Sequence, residues 1–266
     1  MPKYAFCDLD YTLLDDHKNI SNDNIKAIKD FESKGNHFVI CTGRVPFVMK
    51  KYGDMLSSKD IVCANGAVII IDNKEVKSEY LTSDIINSVI DYSIKNKIYI
   101  RIFSPSTLYI LNMPEKDLIG TQLFLGYKIL DNDNVYDVLN KEEIIKIIFC
   151  SDNPSVLDKA YDYINKNCPN VELTYSASFA LEVNKKGQCK GNGIRDYCKL
   201  KNIDIKDTIS IGDNDNDITM FKTTGYSACP SNAIDDVKAI VNYISDSDYN
   251  HNAVADILKH IESNEK

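Results

Sequence analysis

The sequence predicts an α/β protein: a Rossmann-like parallel-sheet core with an inserted α+β domain. Three observations predict it. Short apolar runs alternate with amphipathic stretches from "KYAFCD" to "IVCANGAVIII", the pattern of parallel strands joined by helices. Between residues 82 and 184, helices instead alternate with pairs of strands on short connections, the pattern of an antiparallel sheet. The first pattern then resumes. The core is therefore expected at 1–81 plus 185–266, and the insertion at 82–184.

The elements follow in order. "KYAFCD" is a near-continuous apolar run, as in a strand buried on both faces. In "SNDNIKAIKDFESKG", Ser21 can cap a helix, Ile25, Ile28 and Phe31 give an apolar stripe, and Gly35 can end it. "HFVICTGR" is a strand running into a polar turn, and "VPFVMKKYGDML" is a helix. "IVCANGAVIII" reads as two short strands about an Asn-Gly turn. In the insertion, "SDIINSVIDYSIKNK" and "SVLDKAYDYINKNC" are helices. "IYIRIF", "TLYIL", "EIIKIIFCS", "VELTYSA" and "FALEVN" are strands. The core resumes with the helix "CKGNGIRDYCKLKN", the strand "DTISIGD" and the helix "NDITMFKTTG". The strand "YSAC", the helix "NAIDDVKAIV" and the strand "NYIS" follow.

The totals bound the function. With 266 residues and 44% apolar content, the chain can bury a sizeable core. A formal net charge of −8 argues against nucleic-acid or membrane-surface binding. No protein partner is indicated. The eight cysteines form no CxxC pair, and several lie in apolar runs, which reads as free thiols in a reducing compartment. His17, His37, His251 and His260 lack the spacing to join them in a zinc site. The opening "MPKYAFCDLD" has no secretory-signal pattern and no apolar run reaches membrane length, so a cytoplasmic protein is expected.

The chemistry lies where apolar strands end in polar residues. In an open parallel sheet, ligands bind beyond the carboxyl ends of the strands. "YAFC" runs into Asp8 and Asp10, "HFVIC" into Thr42, Gly43 and Arg44, and "TISI" into Gly212, Asp213, Asn216 and Asp217. Asp8 and Asp10 are two apart, so in extended chain they share a face. Asp8 with Asp213 makes a hard oxygen site suited to Mg²⁺, which takes few carboxylates and keeps water. Such a cation relieves carboxylate repulsion and lets a phosphate approach. Thr42 offers a hydroxyl and Gly43 an unobstructed backbone N–H to phosphate oxygens. Lys190 adds a positive charge at a helix start, where the dipole also favours anions. Any one of these signals has an ordinary explanation: "CDLDYTLLDD" alone is also a polar turn. Four of them together, in this order and at strand ends, are hard to reach by accident.

"DLDYT" at 8–12, "TGR" at 42–44, "CKG" at 189–191 and "GDNDND" at 212–217, with "NGA" at 65–67, resemble the motifs of the haloacid dehalogenase superfamily of phosphatases, Cof-type branch. The resemblance spans both core segments and implies that the insertion is a cap domain. It implies a Mg²⁺-dependent phosphatase acting on a small phosphorylated metabolite through an aspartyl-phosphate. Asp8 would be the nucleophile. Asp10 would be the general acid and base and, through its backbone carbonyl, a metal ligand with Asp8 and Asp213. Thr42 and Lys190 would hold phosphoryl oxygens and Asn216 would contact substrate, with Thr12 and Asp217 in support. Arg44 can contact substrate or pair with the acids. Two positions depart from the family pattern: Tyr11 and Ala253 stand where glycine is usual. Two rival readings use the same residues. A phosphomutase would return the phosphoryl group to a bound sugar. A regulatory module phosphorylated on aspartate would use the acids and the lysine, and leaves the insertion unexplained.

Overall fold

The computed structural model describes residues 3–56, 59–114 and 127–263. The chain begins with β1 (Tyr4–Cys7), α1 (Asn22–Ser33), β2 (His37–Cys41), α2 (Pro46–Leu56), β3 (Ile61–Cys63), β4 (Val68–Ile71) and β5 (Lys74–Ser78). It continues with α3 (Ser83–Asn96), β6 (Tyr99–Phe103), β7 (Leu108–Leu111), β8 (Tyr127–Ile129), α4 (Val135–Leu139), β9 (Lys146–Cys150), α5 (Pro154–Asn167), β10 (Val171–Ala177) and β11 (Ala180–Lys185). Then come α6 (Lys190–Lys201), β12 (Thr208–Ile211), α7 (Ile218–Phe221), β13 (Tyr226–Cys229), α8 (Asp235–Lys238), β14 (Tyr243–Ile244) and α9 (Ala253–Ser263). Contacts divide these elements into two units. One comprises Met1–Arg44, Val48–Ser78 and Cys189–Lys266; the other comprises Val45–Phe47 and Glu79–Gln188.

The first unit holds an eight-stranded sheet in the order β14-β13-β12-β1-β2-β3-β4-β5. Pairing is parallel from β14 through to β3, and antiparallel for β3-β4 and β4-β5. Central strands carry apolar residues on both faces because helices cover both. Phe6, Val39, Val62 and Ile69 pack with Ile194, Tyr197 and Met220 in one such layer. Register then sets the site. Cys7 pairs with both Ile40 and Ile211, so β1, β2 and β12 end level with one another. Asp8, Thr42 and Asp213 emerge from that common edge.

Ser21 caps α1, its hydroxyl accepting the Asn24 N–H at 3.1 Å. The apolar stripe is shifted from the sequence expectation: Ala27, Ile28 and Phe31 are buried, while Ile25 is half-buried. Asn24 is buried too, because its Oδ1 accepts the Ala255 N–H at 2.9 Å in the first turn of α9. The "NDITMFKTTG" stretch is helical over a shorter span than expected. It forms a 3₁₀ turn at Asp215–Asp217 and one turn of α7. Thr223 and Thr224 then donate their hydroxyls back to the Thr219 and Met220 carbonyls at 2.8 and 3.1 Å, which disfavours continuation. The expected helix in "NAIDDVKAIV" is likewise reduced to α8.

The second unit is a six-stranded sheet in the order β10-β11-β9-β6-β7-β8. It is antiparallel except for β7-β8. Strand alternation decides its faces. Ile100, Ile102, Ile147, Phe149, Leu181 and Val183 turn to a core shared with Val89 and Ile90 of α3 and Leu157 and Ile164 of α5. Tyr99, Arg101 and Phe103 turn to the other face. There Lys146 and Glu182, both nearly buried, form an ion pair at 3.1 Å. Among the described residues, no helix is long and apolar enough to cross a membrane.

Candidate functional site

β1 hands the chain to a tight turn. Asp8 extends the ladder by one residue, its N–H donating to the Ile211 carbonyl at 2.8 Å. Leu9 points inward, fully buried, and its carbonyl accepts the N–H groups of Leu13 and Leu14 at 3.0 and 2.9 Å. Such a turn needs a left-handed residue, and Tyr11 supplies it at φ 59. This explains why glycine is usual there: a side chain at positive φ is strained. The Tyr11 ring lies on the surface, edge-on to Tyr249 at 5.5 Å, with the Lys18 ammonium 4.8 Å from its centre.

The turn separates the two leading acids. Asp8 is nearly buried and accepts Lys190 Nζ on Oδ1 at 2.6 Å. Asp10 is part-exposed and sits between two cations. Arg44 donates to it through Nε at 2.8 Å and Nη2 at 2.6 Å, and Lys18 Nζ donates at 2.9 Å. Arg44 is fixed in turn by Nη1 on the Tyr52 hydroxyl at 3.0 Å. Of the two roles open to Arg44 in the sequence, the structure shows the pairing with acid. Lys18 and Tyr52 were not foreseen. Lys18 is a loop residue held at φ 58, and its sequence context "DDHKN" carries no signal that it folds back on Asp10.

Lys190 opens α6 and is completely buried. Its Nζ bridges Asp8 and Asp217, the latter at 2.5 Å. The other oxygen of Asp217 accepts the backbone N–H groups of Asp213 and Asn214 at 2.8 and 3.1 Å. Asp217 thus fixes both the lysine and the loop that carries Asp213. Thr12 donates its hydroxyl to Asp213 Oδ1 at 2.7 Å, so it ties the β1 turn to the β12 loop. Thr42 is buried and its hydroxyl accepts the Arg44 N–H at 3.2 Å. A Cβ on Gly43 would lie 3.1 Å from Asn65 Oδ1, so a larger residue would crowd the "NGA" turn. Asn216 is exposed, and among the described residues no hydrogen bond holds its side chain.

The first turn of α6 is placed by backbone-to-backbone contact. A Cβ on Gly193 would lie 2.6 Å from Gly66 Cα, and a Cβ on Gly66 would lie 2.7 Å from the Cys189 carbonyl oxygen. Only glycines allow that approach. The "NGA" turn and the lysine helix are therefore one packing unit.

Charge follows from this geometry. Burial raises the Asp8 carboxyl to about 8, with the negative neighbours Asp217 and Asp213 adding to it against Lys190. Burial and Asp217 raise Asp213 to about 7. Burial works to lower the Lys190 ammonium, but Asp217 and Asp8 outweigh it and keep the lysine charged. Asp10 is pushed upward by partial burial, yet the Arg44 and Lys18 bonds and charges prevail and lower it.

A divalent cation fits this set. Carboxylate oxygens of Asp8, Asp213 and Asp217 lie within 4.8 Å of one another. Both oxygens of Asp217 are engaged, but Asp8 and Asp213 each use one oxygen on Lys190 and Thr12. No other hydrogen bond among the described residues takes up the second oxygen of either. Hard anionic oxygens are the donors that Mg²⁺ prefers.

Residues 5–258 match the family described as haloacid dehalogenase-like hydrolase. The chain is 29% identical to the 5-amino-6-(5-phospho-D-ribitylamino)uracil phosphatase YcsE of Bacillus subtilis (strain 168), over 97% of this chain and 95% of that protein. It is 26% identical to a phosphoglycolate phosphatase of Methanobrevibacter smithii, over 91% of each. Among solved structures, a haloacid dehalogenase-like hydrolase from Bacteroides thetaiotaomicron superposes with a TM-score of 0.87 at 20% identity, covering 98% of this chain and 100% of that one. With the fold, the motif order and the family match in agreement, the chain belongs to the haloacid dehalogenase-like hydrolases, and its motif set is that of the Cof-type phosphatases.

Proposed function

We propose that the protein is a Mg²⁺-dependent phosphatase of small phosphomonoesters, such as sugar or polyol phosphates, working through an aspartyl-phosphate on Asp8. The observation that carries this reading is the Asp8 carboxylate, held by a buried lysine beside Asp213 at the strand ends. Bound Mg²⁺, held by Asp8, Asp213 and the Asp10 backbone carbonyl, would supply positive charge against the phosphoryl oxygens. Asp8 attacks phosphorus, and the bond to the ester oxygen breaks as an Asp8–phosphorus bond forms. Lys190, Thr42 and the Gly43 N–H hold the phosphoryl oxygens. Asp10 gives a proton to the departing oxygen, then takes one from the water that splits the aspartyl-phosphate. The Arg44 and Lys18 bonds set Asp10 for the second role in the free protein. The first role requires it to loosen from them and gain a proton.

Residues 82–184 would act as the cap that selects substrate, and Asn216 would contact it. The curated relatives act, by name, on different phosphate esters, which supports a shared core chemistry with a variable selector. The eight free thiols favour a cytoplasmic location. The experiment is a phosphate-release screen over small phosphomonoesters with Mg²⁺, run on the full chain and on a chimera carrying a relative's residues for 82–184. Turnover that stops in chelator, with a changed substrate ranking in the folded chimera, is expected. Activity untouched by chelator, isomer formation without free phosphate, or an unchanged ranking would refute the corresponding part.

A further inference from the structure

No step of the proposed reaction uses the "NGA" turn, yet its backbone is costly. It joins β3 to β4, with Cys63 pairing with Val68 across it. A two-residue Asn-Gly turn needs positive φ at two positions. Here three successive residues are left-handed: Ala64 at φ 50, Asn65 at φ 54 and Gly66 at φ 90. For alanine that conformation is strained, and strain of this kind gathers at functional sites. The turn lies against both carriers of the phosphate-holding groups. The Asn65 N–H donates to the Thr42 carbonyl at 3.0 Å, and the Ala64 N–H to the Arg44 carbonyl at 2.8 Å. Gly66 meets the carbonyl of Cys189, the residue before Lys190.

The Asn65 side chain has no partner that explains it. Its Oδ1 is buried without a hydrogen bond. A buried acceptor left unpaired is unfavourable, so packing gives no reason for an amide here. Among the described residues no hydrogen bond engages Nδ2 either. The residue is half-buried, and with its oxygen covered the nitrogen is the polar end left to meet a ligand. A Cβ on Gly43 would lie 3.6 Å from Nδ2, so this donor stands beside the backbone assigned to the phosphoryl oxygens. An amide nitrogen donates and a phosphoryl oxygen accepts. We propose that Asn65 is a substrate-contacting residue, its Nδ2 donating to a phosphoryl oxygen beside the Gly43 N–H. The inference rests on the phosphatase reading.

Inorganic phosphate, titrated calorimetrically into the Mg²⁺-loaded full chain, tests it, with turnover of an aryl phosphate as the control on the reaction. Asn65→Gly removes the donor, the unpaired oxygen and the left-handed side chain together. The Kd for phosphate should rise at least about tenfold, as for loss of one hydrogen bond to a charged group. Tm without phosphate should stay level or rise, because glycine accepts positive φ freely. A residue that only supports the turn gives the opposite pair: an unchanged Kd and a lowered Tm. Asn65→Asp keeps the shape, lacks the donor and should raise Kd at least as much. A wild-type Kd in either variant, or a raised Kd that comes with a lowered Tm in Asn65→Gly, overturns the inference. A wild type that neither binds phosphate nor hydrolyses the ester overturns the phosphatase reading and this inference with it. A wild type that does both, with variants equal to it, overturns this inference alone.

Discussion

Asp8 and Asp10 stand two residues apart and meet opposite surroundings. Asp8 enters the buried edge of the sheet with Asp213 and Asp217 for neighbours, so its carboxyl titrates near 8. Asp10 leaves on the far side of the Tyr11 turn and meets Arg44 and Lys18, so its carboxyl is lowered. The same type of side chain thus meets two electrostatic environments by position alone. The raised groups predict a pH dependence. In the unfolded chain an aspartate titrates near about 3.9. Between about pH 4 and 8 the folded, cation-free protein therefore binds more protons at Asp8 and Asp213 than the unfolded chain does. Their contribution is fully present below the unfolded value and is lost as pH rises through about 7 to 8. Mg²⁺ competes with those protons, so its stabilising effect should grow with pH. Melting curves with Mg²⁺ and with chelator, from about pH 5.5 to 8.5, should show a widening gap in Tm. A gap that is constant or narrows would mean that the cation does not bind these carboxylates. Asp213→Asn should shrink the gap throughout.

Elements place these residues, and some elements were easier to read than others. β1, β2 and β12 were legible because a strand buried on both faces needs an unbroken apolar run, as "YAFC", "HFVIC" and "TISI" show. β5 was not, because "KEVKS" alternates charge without an apolar face. It forms through the Asp72–Asn73 turn, whose φ values of 52 and 61 close a tight hairpin with β4. α9 was missed for a different reason. Its start depends on Asn24, distant in sequence, which bonds the Ala255 N–H. Ala253, at a position where glycine is usual, is accommodated as a buried first residue of that helix. The contact of Gly66 with Gly193 is a tertiary fact that no spacing announces, and it carries a prediction. Gly193→Ala drives a methyl into Gly66 and must displace the first turn of α6. It should cost about 1–3 kcal/mol of stability. It should also lower kcat, because Lys190 would leave its place between Asp8 and Asp217. Unchanged kcat in a variant with lowered Tm would separate the packing of α6 from the placing of its lysine.

For the whole chain, three stretches far apart in sequence meet at one sheet edge. The change of pattern after residue 82, where strand pairs replace single strands, was visible in the sequence, and so were Asp8, Lys190 and Asp213 as candidates, because each follows or opens a strongly patterned element. Lys18 and Tyr52 were not, since a charged loop residue and a helix tyrosine look the same whether or not they fold against an acid. The supporting part expected of Asp217 takes a specific form: one carboxylate fixes both Lys190 and the Asp213 loop. The proposed function turns on one covalent step, so the most direct measurement is acid quench of the enzyme mixed with ³²P-labelled aryl phosphate, followed by mapping of the labelled residue. Label on Asp8 is expected in the wild type. It should accumulate in Asp10→Asn, where an activated leaving group departs unaided but water activation is lost, on the order of 10²–10⁴-fold. Label on Asp10, or turnover in Asp8→Asn at the wild-type rate, would contradict the assignment.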